Sequence, residues 1–191
     1  MSRKRTTADC SREPSVTVMG SDIFFVMGVS CCGKSTVGAQ LAAALGLAFL
    51  EGDSLHPAAN VARMAAGVAL SDADRAGWLQ TLATRIGETH RARRGLVLSC
   101  SALKRSYRDI LRQGAPELHF LYLHGDYELL AARMAARNGH YMPLSLMASQ
   151  LSTLEVPGVG EDEQSFDMAT RPEAIVAAVL ARWPAAGGPT S

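Results

Sequence analysis

A glycine-rich turn near residue 30 constrains the fold of this chain more than any other stretch. It has the form G-x-x-x-x-G-K-S and comprises Gly28, Val29, Ser30, Cys31, Cys32, Gly33, Lys34 and Ser35, with Thr36 next. An apolar run precedes it and a helical pattern follows it. A strand that turns sharply into a helix leaves backbone N–H groups unpaired at the helix start, where the helix dipole also favours anions. The turn therefore predicts a phosphate-binding loop, with Lys34 at the terminal phosphates and the Ser35 hydroxyl at Mg²⁺.

Length and charge narrow the range of partners. The chain has 191 residues, the size expected for one domain with a sizeable core. Its net charge is +1, and its 19 Lys and Arg residues are spread along the sequence, so no nucleic-acid surface is predicted. No apolar run approaches the roughly 20 residues that cross a bilayer, and no signal peptide is predicted. We expect a cytoplasmic protein that binds small anions, with no nucleic-acid or membrane partner.

Cysteine usage points to reduced thiols. The four cysteines, Cys10, Cys31, Cys32 and Cys100, show none of the C-x-x-C pairs of a zinc site. Two of them stand inside the phosphate loop, near a helix start and Lys34, which is a setting that favours thiolates.

Apolar patterns predict an α/β fold. Five strands, at residues 23–27, 48–51, 96–100, 119–124 and 164–168, alternate with helices. Short loops between them imply right-handed crossovers and a parallel sheet. We expect a doubly wound domain at residues 22–184, with its ligands at the carboxyl ends of the strands. Residues 1–21 are predicted to form a disordered extension and residues 185–191 a loose tail.

The helix that follows His56 and Pro57 has two contrasting faces. The apolar face consists of Val61, Met64, Ala65 and Val68. The polar face consists of His56, Asn60, Arg63 and Gly67. From spacing alone, the polar face either lines a cleft or is an ordinary solvated surface. Ser71 and Asp74 then predict a capping box at the start of a longer helix.

Candidate catalytic groups follow two of the strands. Asp53, just past the second strand, could orient or deprotonate an attacking hydroxyl, hold Mg²⁺ through water, or cap the next helix. The third strand ends without the aspartate that binds the metal in many nucleoside triphosphatases, which makes Asp53 the more important candidate. Arg133 and Arg137 lie one helical turn apart and suit a polyphosphate, although such pairs are also common on surfaces.

Three blocks of the sequence carry a resemblance to a known family. The first block is Glu51-Gly52-Asp53-Ser54-Leu55-His56-Pro57, followed by Asn60, Arg63-Met64, Gly67, Leu70, Asp72, Asp74-Arg75 and Trp78-Leu79. The second is Cys100-Ser101-Ala102-Leu103-Lys104 with Tyr107-Arg108-Asp109 and Leu111-Arg112. The third contains Arg133, Arg137, residues 139–143 and residues 150–157. Over about residues 22 to 182, the chain resembles bacterial-type gluconokinases, relatives of shikimate kinase in the nucleoside-monophosphate-kinase-like group.

The resemblance implies a P-loop kinase with a five-stranded parallel sheet, substrate-binding helices at about residues 56–90 and a lid at about 137–144. It implies phosphorylation of D-gluconate at its 6-hydroxyl with ATP and Mg²⁺, feeding the pentose phosphate or Entner–Doudoroff route, in a homodimer. Lys34, Asp53 and Arg133 are the implied catalytic residues, and Ser35 and Asp53 the implied metal ligands. The implied ATP ligands are residues 28–36, Arg133 and Arg137. The implied substrate ligands are Asp53, His56, Asn60, Arg63, Lys104, Arg108 and His140.

Two departures from the family pattern, and several alternatives, stay open. The family usually has Gly-Ser where Cys31 and Cys32 stand, so Cys31 would be strained if its position needs a positive φ. The fifth strand is more polar than expected. A shikimate kinase is one alternative. That family is typified by a Gly-Gly-Gly turn after the third strand, whereas residues 99–102 of this chain are Ser-Cys-Ser-Ala. Two further alternatives are another small-molecule kinase and a nucleotide-binding regulator without transfer chemistry.

Overall fold

A parallel five-stranded sheet forms the centre of the protein. The structure, a computed structural model, describes residues 21–136, 144–158, 160, 161 and 163–183. The strands are β1 (Ile23–Met27), β2 (Ala48–Glu51), β3 (Leu96–Ser99), β4 (Leu118–His124) and β5 (Glu163–Asp167). Their spatial order is β2-β3-β1-β4-β5, and every pair is parallel. The predicted fold class is confirmed. The predicted extension, apart from Ser21, and the predicted tail lie outside the described residues.

Helices flank the sheet on both faces. They are α1 (Lys34–Leu45), α2 (Ala58–Ala65), α3 (Asp72–Arg91), α4 (Arg105–Arg112), α5 (Tyr127–Ala135), α6 (Leu144–Thr153) and α7 (Pro172–Arg182). The predicted capping box starts α3, because the Asp74 N–H donates to Ser71 Oγ and the Ser71 N–H donates to the Asp74 carboxylate. No helix in the described part of the chain is long and apolar enough to span a bilayer.

The core lies in two layers, one on each face of the sheet, and β1 contributes to both. Phe24 and Val26 pack with residues of α1 and α7, whereas Phe25 and Met27 pack with residues of α3 and α4. All five residues of β1 are buried. A strand covered by helices on both sides has no polar face, which explains its unbroken apolar run.

The register of the strands brings three carboxyl ends to one edge of the sheet. Ser99 at the end of β3 stands beside Val26 of β1 and Glu51 of β2. The phosphate loop leaves β1 at this edge, and the turn that carries Asp53 leaves β2 there. Ligands of parallel α/β sheets bind at such an edge, so the register fixes where the site must lie.

The apolar face of α2 is largely exposed. Val61 and Val68 are 48% and 45% exposed, while Asn60 on the opposite face is buried. The Asn60 Nδ2 donates to the Asp74 carbonyl oxygen over 2.7 Å, which fixes the polar side of α2 against the start of α3. The apolar side is left facing an open cavity, lined in part by Val61, Met64 and Ala65.

Candidate active site

The phosphate loop joins β1 to α1 with the backbone shape that its glycines predict. Gly28 has φ 143°, and a Cβ on it would lie 2.4 Å from the Leu123 carbonyl oxygen, so no other residue fits there. Gly33, with φ 103°, is the N-cap of α1 and makes no side-chain cap. The first N–H groups of α1 are therefore presented to the loop, as an anion site requires.

Cys31 occupies a left-handed position of this loop. Its φ is 66°, so the condition under which we expected strain at this position is met. Cys32 next to it is buried in the core beside Val26 and Leu41. Burial raises the pKa of the Cys32 thiol, and this effect outweighs that of Lys34 nearby. The expectation of a thiolate at Cys32 is therefore corrected: this side chain is a neutral packing group.

Lys34 reaches back under the loop from the first turn of α1. Its side chain is 7% exposed, and its Nζ donates to the Val29 carbonyl oxygen over 2.9 Å. Burial on its own would lower the pKa of Lys34, but the acidic groups around it, Cys32, Asp53, Cys100 and Glu51, together raise it. Because burial raises the pKa of the Cys32 and Cys100 thiols and keeps them neutral, we attribute the net effect mainly to the two carboxylates. Lys34 is thus held as a cation at the loop, while Ser35 and Thr36 after it are exposed.

Arg133 on α5 lies beside the phosphate loop. One nitrogen of its guanidinium donates to the Met168 carbonyl oxygen over 2.7 Å, and the other would lie 3.7 Å from a Cβ on Gly33. The predicted position of this arginine near bound phosphate is thus consistent with its geometry. Arg137 and His140, and most of the predicted lid, lie outside the described residues.

Asp53 lies in a 3₁₀ turn, Gly52–Leu55, that follows β2. The Trp78 indole N–H donates to the Gly52 carbonyl oxygen over 2.9 Å and ties this turn to α3. The Asp53 side chain is exposed to a cavity of about 420 Å³, which Ser30 of the phosphate loop also lines. Asp53 is also close enough to Lys34 to raise the pKa of that lysine.

His56 forms part of the wall of the same cavity. Its ring stacks on the Trp78 ring, with centroids 4.0 Å apart and planes 15° apart. Partial burial lowers the pKa of His56, with Asp53 opposing this effect and Arg75 adding to it. Its Nδ1 is buried and has no hydrogen-bond partner among the described residues. His56 therefore presents a neutral imidazole to the cavity, suited to a hydroxyl group of a ligand.

Two of the other predicted substrate ligands, Arg63 and Lys104, are already bound to carboxylates. Arg63 pairs with Asp74 over 3.0 Å on the outside of α2. Lys104 donates to both oxygens of Asp72, over 2.8 and 2.7 Å, and lines a second cavity of about 240 Å³ that adjoins the first. Tyr107 donates to Asp72 as well, and these hydrogen bonds hold the pKa of Asp72 below its usual value.

Arg108 is placed differently from the expectation. Its side chain is buried in the core, where its Nε and Nη2 donate to the two oxygens of Glu161 over 2.7 and 3.0 Å. Its Nη1 donates to the carbonyl oxygens of Ala102 and Leu103. In this structure Arg108 therefore supports the loop before α4 and does not line either cavity.

Two further residues of the site had no predicted role. Gln150 on α6 accepts from the Ser30 N–H over 2.7 Å and donates to Ser30 Oγ over 2.9 Å. Arg75 on α3 lines both cavities. Both residues belong to the sequence blocks that carry the family resemblance, which was the signal available for them. Their side chains act across the fold, so no local pattern indicated what they contact.

The carboxyl edge of the parallel sheet holds a phosphate loop with a buried lysine. An arginine lies beside this loop, and an aspartate lies across a cavity from it. Together these features define a P-loop kinase.

A family model described as an AAA domain matches residues 23–157. The chain is 45% identical to the thermosensitive gluconokinase of Escherichia coli K12, over 76% of this chain and 78% of that one. It is 52% identical to the gluconokinase of Gluconobacter oxydans 621H, over 71% and 76% of the two chains. A crystal structure of a gluconokinase from Sinorhizobium meliloti 1021 superposes with a TM-score of 0.75 at 47% identity, covering 85% of this chain and 93% of that one. The chain belongs to the gluconokinase family.

Proposed function

We propose that this protein transfers the terminal phosphoryl group of ATP to the 6-hydroxyl of D-gluconate. The observation that carries the proposal is that one cavity joins the phosphate loop, through Ser30, to the carboxylate of Asp53 and the imidazole of His56. Phosphoryl transfer needs an acceptor hydroxyl held in line with the phosphate and a compensated negative charge, without a covalent nucleophile. The identity of the acceptor rests on the family.

The residues of the site have separate roles in this reaction. Backbone N–H groups within residues 28–36, other than that of Ser30, which donates to Gln150, hold the β- and γ-phosphates. Lys34 and Arg133 neutralise the charge that grows on the transferred group. Asp53 accepts the proton of the attacking hydroxyl or orients that hydroxyl. Arg137 and His140, on the proposed lid at about residues 137–144, contribute from the ATP side and the substrate side respectively. Residues 56–90, which contain α2 and all but the last residue of α3, form the substrate-binding helices.

The donor set at the loop fits a magnesium ion. Mg²⁺ takes hard oxygen ligands, often one or two from the protein with waters and phosphates for the rest. The hydroxyl of Ser35 and the carboxylate of Asp53 are such donors, and both side chains are exposed to solvent. When bound, the ion neutralises charge on the β- and γ-phosphates. Ser35 would hold it directly, and Asp53 directly or through water.

The resemblance also carries three broader proposals. We propose that the protein is cytoplasmic, that it acts in gluconate utilisation as part of carbohydrate catabolism, and that it forms a homodimer. Light scattering coupled to size-exclusion chromatography tests the last of these. A mass of about 20 kDa across the working concentration range, which is the mass of one chain, would contradict the dimer.

The experiment that tests the function measures ATP consumption with several acceptors in parallel. Gluconate is expected to stimulate ATP consumption, whereas shikimate and nucleoside monophosphates leave it at the background rate. Stimulation by shikimate or by a nucleotide, but not by gluconate, would contradict the proposal. ATP binding without stimulation by any acceptor would instead support a nucleotide-binding regulator.

A further inference from the structure

The cavity beside Asp53 contains little positive charge for a site that is to hold a sugar acid. Among the described residues that line it, Arg75 is the one arginine, and no lysine lines it. Arg75 also lines the smaller adjoining cavity, so it lies where the two meet. Asp53, by contrast, lines the larger cavity but not the smaller one.

The neighbouring cations are already neutralised. Arg63, Lys104 and Arg108 each form an ion pair with a carboxylate, at distances of 3.0, 2.7 and 2.7 Å. Each of these cations already shares its charge with a carboxylate, so a ligand carboxylate would have to compete with that partner. Breaking a buried pair such as Arg108 with Glu161 is costly because it leaves a charge without a partner.

Arg75 differs from these three residues. It donates to the Leu70 carbonyl oxygen, and its guanidinium lies 5.9 Å from the centre of the Tyr107 ring. Within the described part of the chain it forms no ion pair, because the nearby carboxylates of Asp72 and Asp74 are held by Lys104 and Arg63. A guanidinium has five N–H donors, so most of those of Arg75 remain available to a ligand.

Resting on the proposed function, we propose that Arg75 binds the carboxylate of the substrate and thereby selects sugar acids. A planar guanidinium matches a carboxylate with two parallel hydrogen bonds, which gives both affinity and orientation. A six-carbon acid held by its carboxylate at Arg75 directs its far hydroxyl away from that anchor and towards Asp53. Two residues of one cavity thus bind opposite ends of the substrate: Asp53 binds the acceptor hydroxyl, and Arg75 binds the carboxylate.

The apolar wall of α2 strengthens this recognition. Val61, Met64 and Leu70 line the cavity with Arg75, and a substrate that fills it displaces water from around the ion pair. A charged hydrogen bond is stronger where water is excluded. A neutral polyol would leave the guanidinium without its partner, so the cavity disfavours it. This gives the exposed apolar face of α2 a role in the cavity.

Calorimetric titration with gluconate, in the presence of a non-hydrolysable ATP analogue, tests the proposal on the full chain. In Arg75→Gln the Kd for gluconate is expected to rise by roughly 10- to 100-fold, the loss typical of a charged hydrogen bond. The Kd for the ATP analogue is expected to stay within about twofold of the wild-type value, since Arg75 lies on α3 and is not part of the phosphate loop. Arg75→Lys should give an intermediate Kd because it keeps the charge but not the planar pair. Arg85→Gln is the matched control on α3, since Arg85 is exposed and pairs with Glu88, and its Kd values should equal those of the wild type.

The outcomes separate this proposal from the proposed function. A wild-type protein that binds and phosphorylates gluconate, combined with an unchanged Kd in Arg75→Gln, overturns the role of Arg75 alone. Equal weakening of gluconate and ATP-analogue binding would mark Arg75 as a structural residue and overturn it too. If Arg75→Gln does not fold, a wild-type Kd in Arg75→Lys has the same consequence. A wild-type protein that neither binds nor phosphorylates gluconate contradicts the proposed function itself.

Discussion

Lys34 is the charged residue that the fold surrounds most completely at the phosphate loop. Its raised pKa keeps it protonated at neutral pH, and its hydrogen bond to the Val29 carbonyl oxygen holds it in place. We expect Lys34→Ala to lower kcat/KM by at least about 100-fold, which corresponds to about 3 kcal/mol of lost charge stabilisation in the transition state. Steady-state kinetics with ATP and gluconate measure this, with Arg85→Ala as an exposed control. A turnover equal to that of the wild type would remove Lys34 from the mechanism.

Asp53 should affect the chemical step more than ATP binding. We expect Asp53→Asn to lower kcat by 100-fold or more, because an amide cannot accept the proton, while the Kd for ATP changes by less than about threefold. Asp109→Asn is a matched control, since Asp109 pairs with Arg112 on the exposed side of α4. Equal losses in kcat and in ATP affinity would show that Asp53 acts only through the metal or the fold, and not as the base for the hydroxyl.

Cys31 holds a left-handed backbone conformation without being a glycine. Such a conformation costs an L-residue about 1–2 kcal/mol, whereas a glycine costs about 0.4–1 kcal/mol in chain entropy. We therefore expect Cys31→Gly to raise the free energy of unfolding by up to about 1 kcal/mol and to leave the KM for ATP within twofold. Arg93→Gly is the matched control, because Arg93 has φ 51° in a turn after α3, away from the loop. Chemical denaturation measures both variants, and a lower stability in Cys31→Gly would show that its thiol contributes more than its backbone strain costs.

At the scale of elements, one buried ion pair joins α4 to the segment before β5. Arg108 binds Glu161 and the carbonyl oxygens of Ala102 and Leu103, and Ala102 itself has φ 37°. Arg112 adds a second contact to the Glu161 carboxylate at 3.3 Å. The loop so held forms part of the wall of the cavity beside Asp53. The pair therefore supports one wall of the cavity, although neither of its side chains lines that cavity.

The pH dependence of the free energy of unfolding should show how much the ion pair of Arg108 and Glu161 stabilises the fold. Burial would raise the pKa of Glu161, but hydrogen bonds and charge from Arg108, with the Gly158 N–H and Arg112, lower it to about 2 from 4.5. The stabilisation is fully present above pH 4.5 and is lost as the pH falls through about 2. It amounts to roughly 3 kcal/mol for a shift of this size.

Glu161→Gln tests this account through unfolding measured across pH. We expect the variant to be less stable than the wild type by about 3–5 kcal/mol at pH 7, because Arg108 loses its partner. The difference should narrow steadily from pH 4.5 towards pH 2. Glu88→Gln, which removes an exposed carboxylate paired with Arg85, should differ from the wild type by less than about 0.5 kcal/mol throughout. A difference for Glu161→Gln that does not depend on pH would contradict the assignment.

At the scale of the whole molecule, features with a local cause were predictable from sequence. Burial on both faces dictates the apolar run of β1, and the glycines of the phosphate loop follow from its backbone shape. The capping box at Ser71 and Asp74 needs only residues three apart. The parallel sheet and the edge where the site lies follow from short crossovers, whereas the strand order, in which β3 separates β1 from β2, was not predicted.

Features that depend on contacts across the chain were not predictable. The apolar face of α2 has the helical period of a core face, yet it lines a cavity because Asn60 is bonded to the start of α3. From the sequence alone, four basic side chains are equally plausible ligands for a carboxylate: Arg63, Arg75, Lys104 and Arg108. Which of them is free for a ligand depends on where Asp74, Asp72 and Glu161 fold, 11, 32 and 53 residues away from their partners.

In the reaction that we propose, the cavity between the phosphate loop and Asp53 presents the 6-hydroxyl of gluconate to ATP. The most direct measurement is ³¹P and ¹³C NMR of the product formed by the wild-type protein from ATP and ¹³C-labelled gluconate. We predict one phosphate ester, coupled to the primary carbon C6, formed in step with ADP. ADP formed without a phosphorylated gluconate, or a phosphate on any other carbon, would contradict the account.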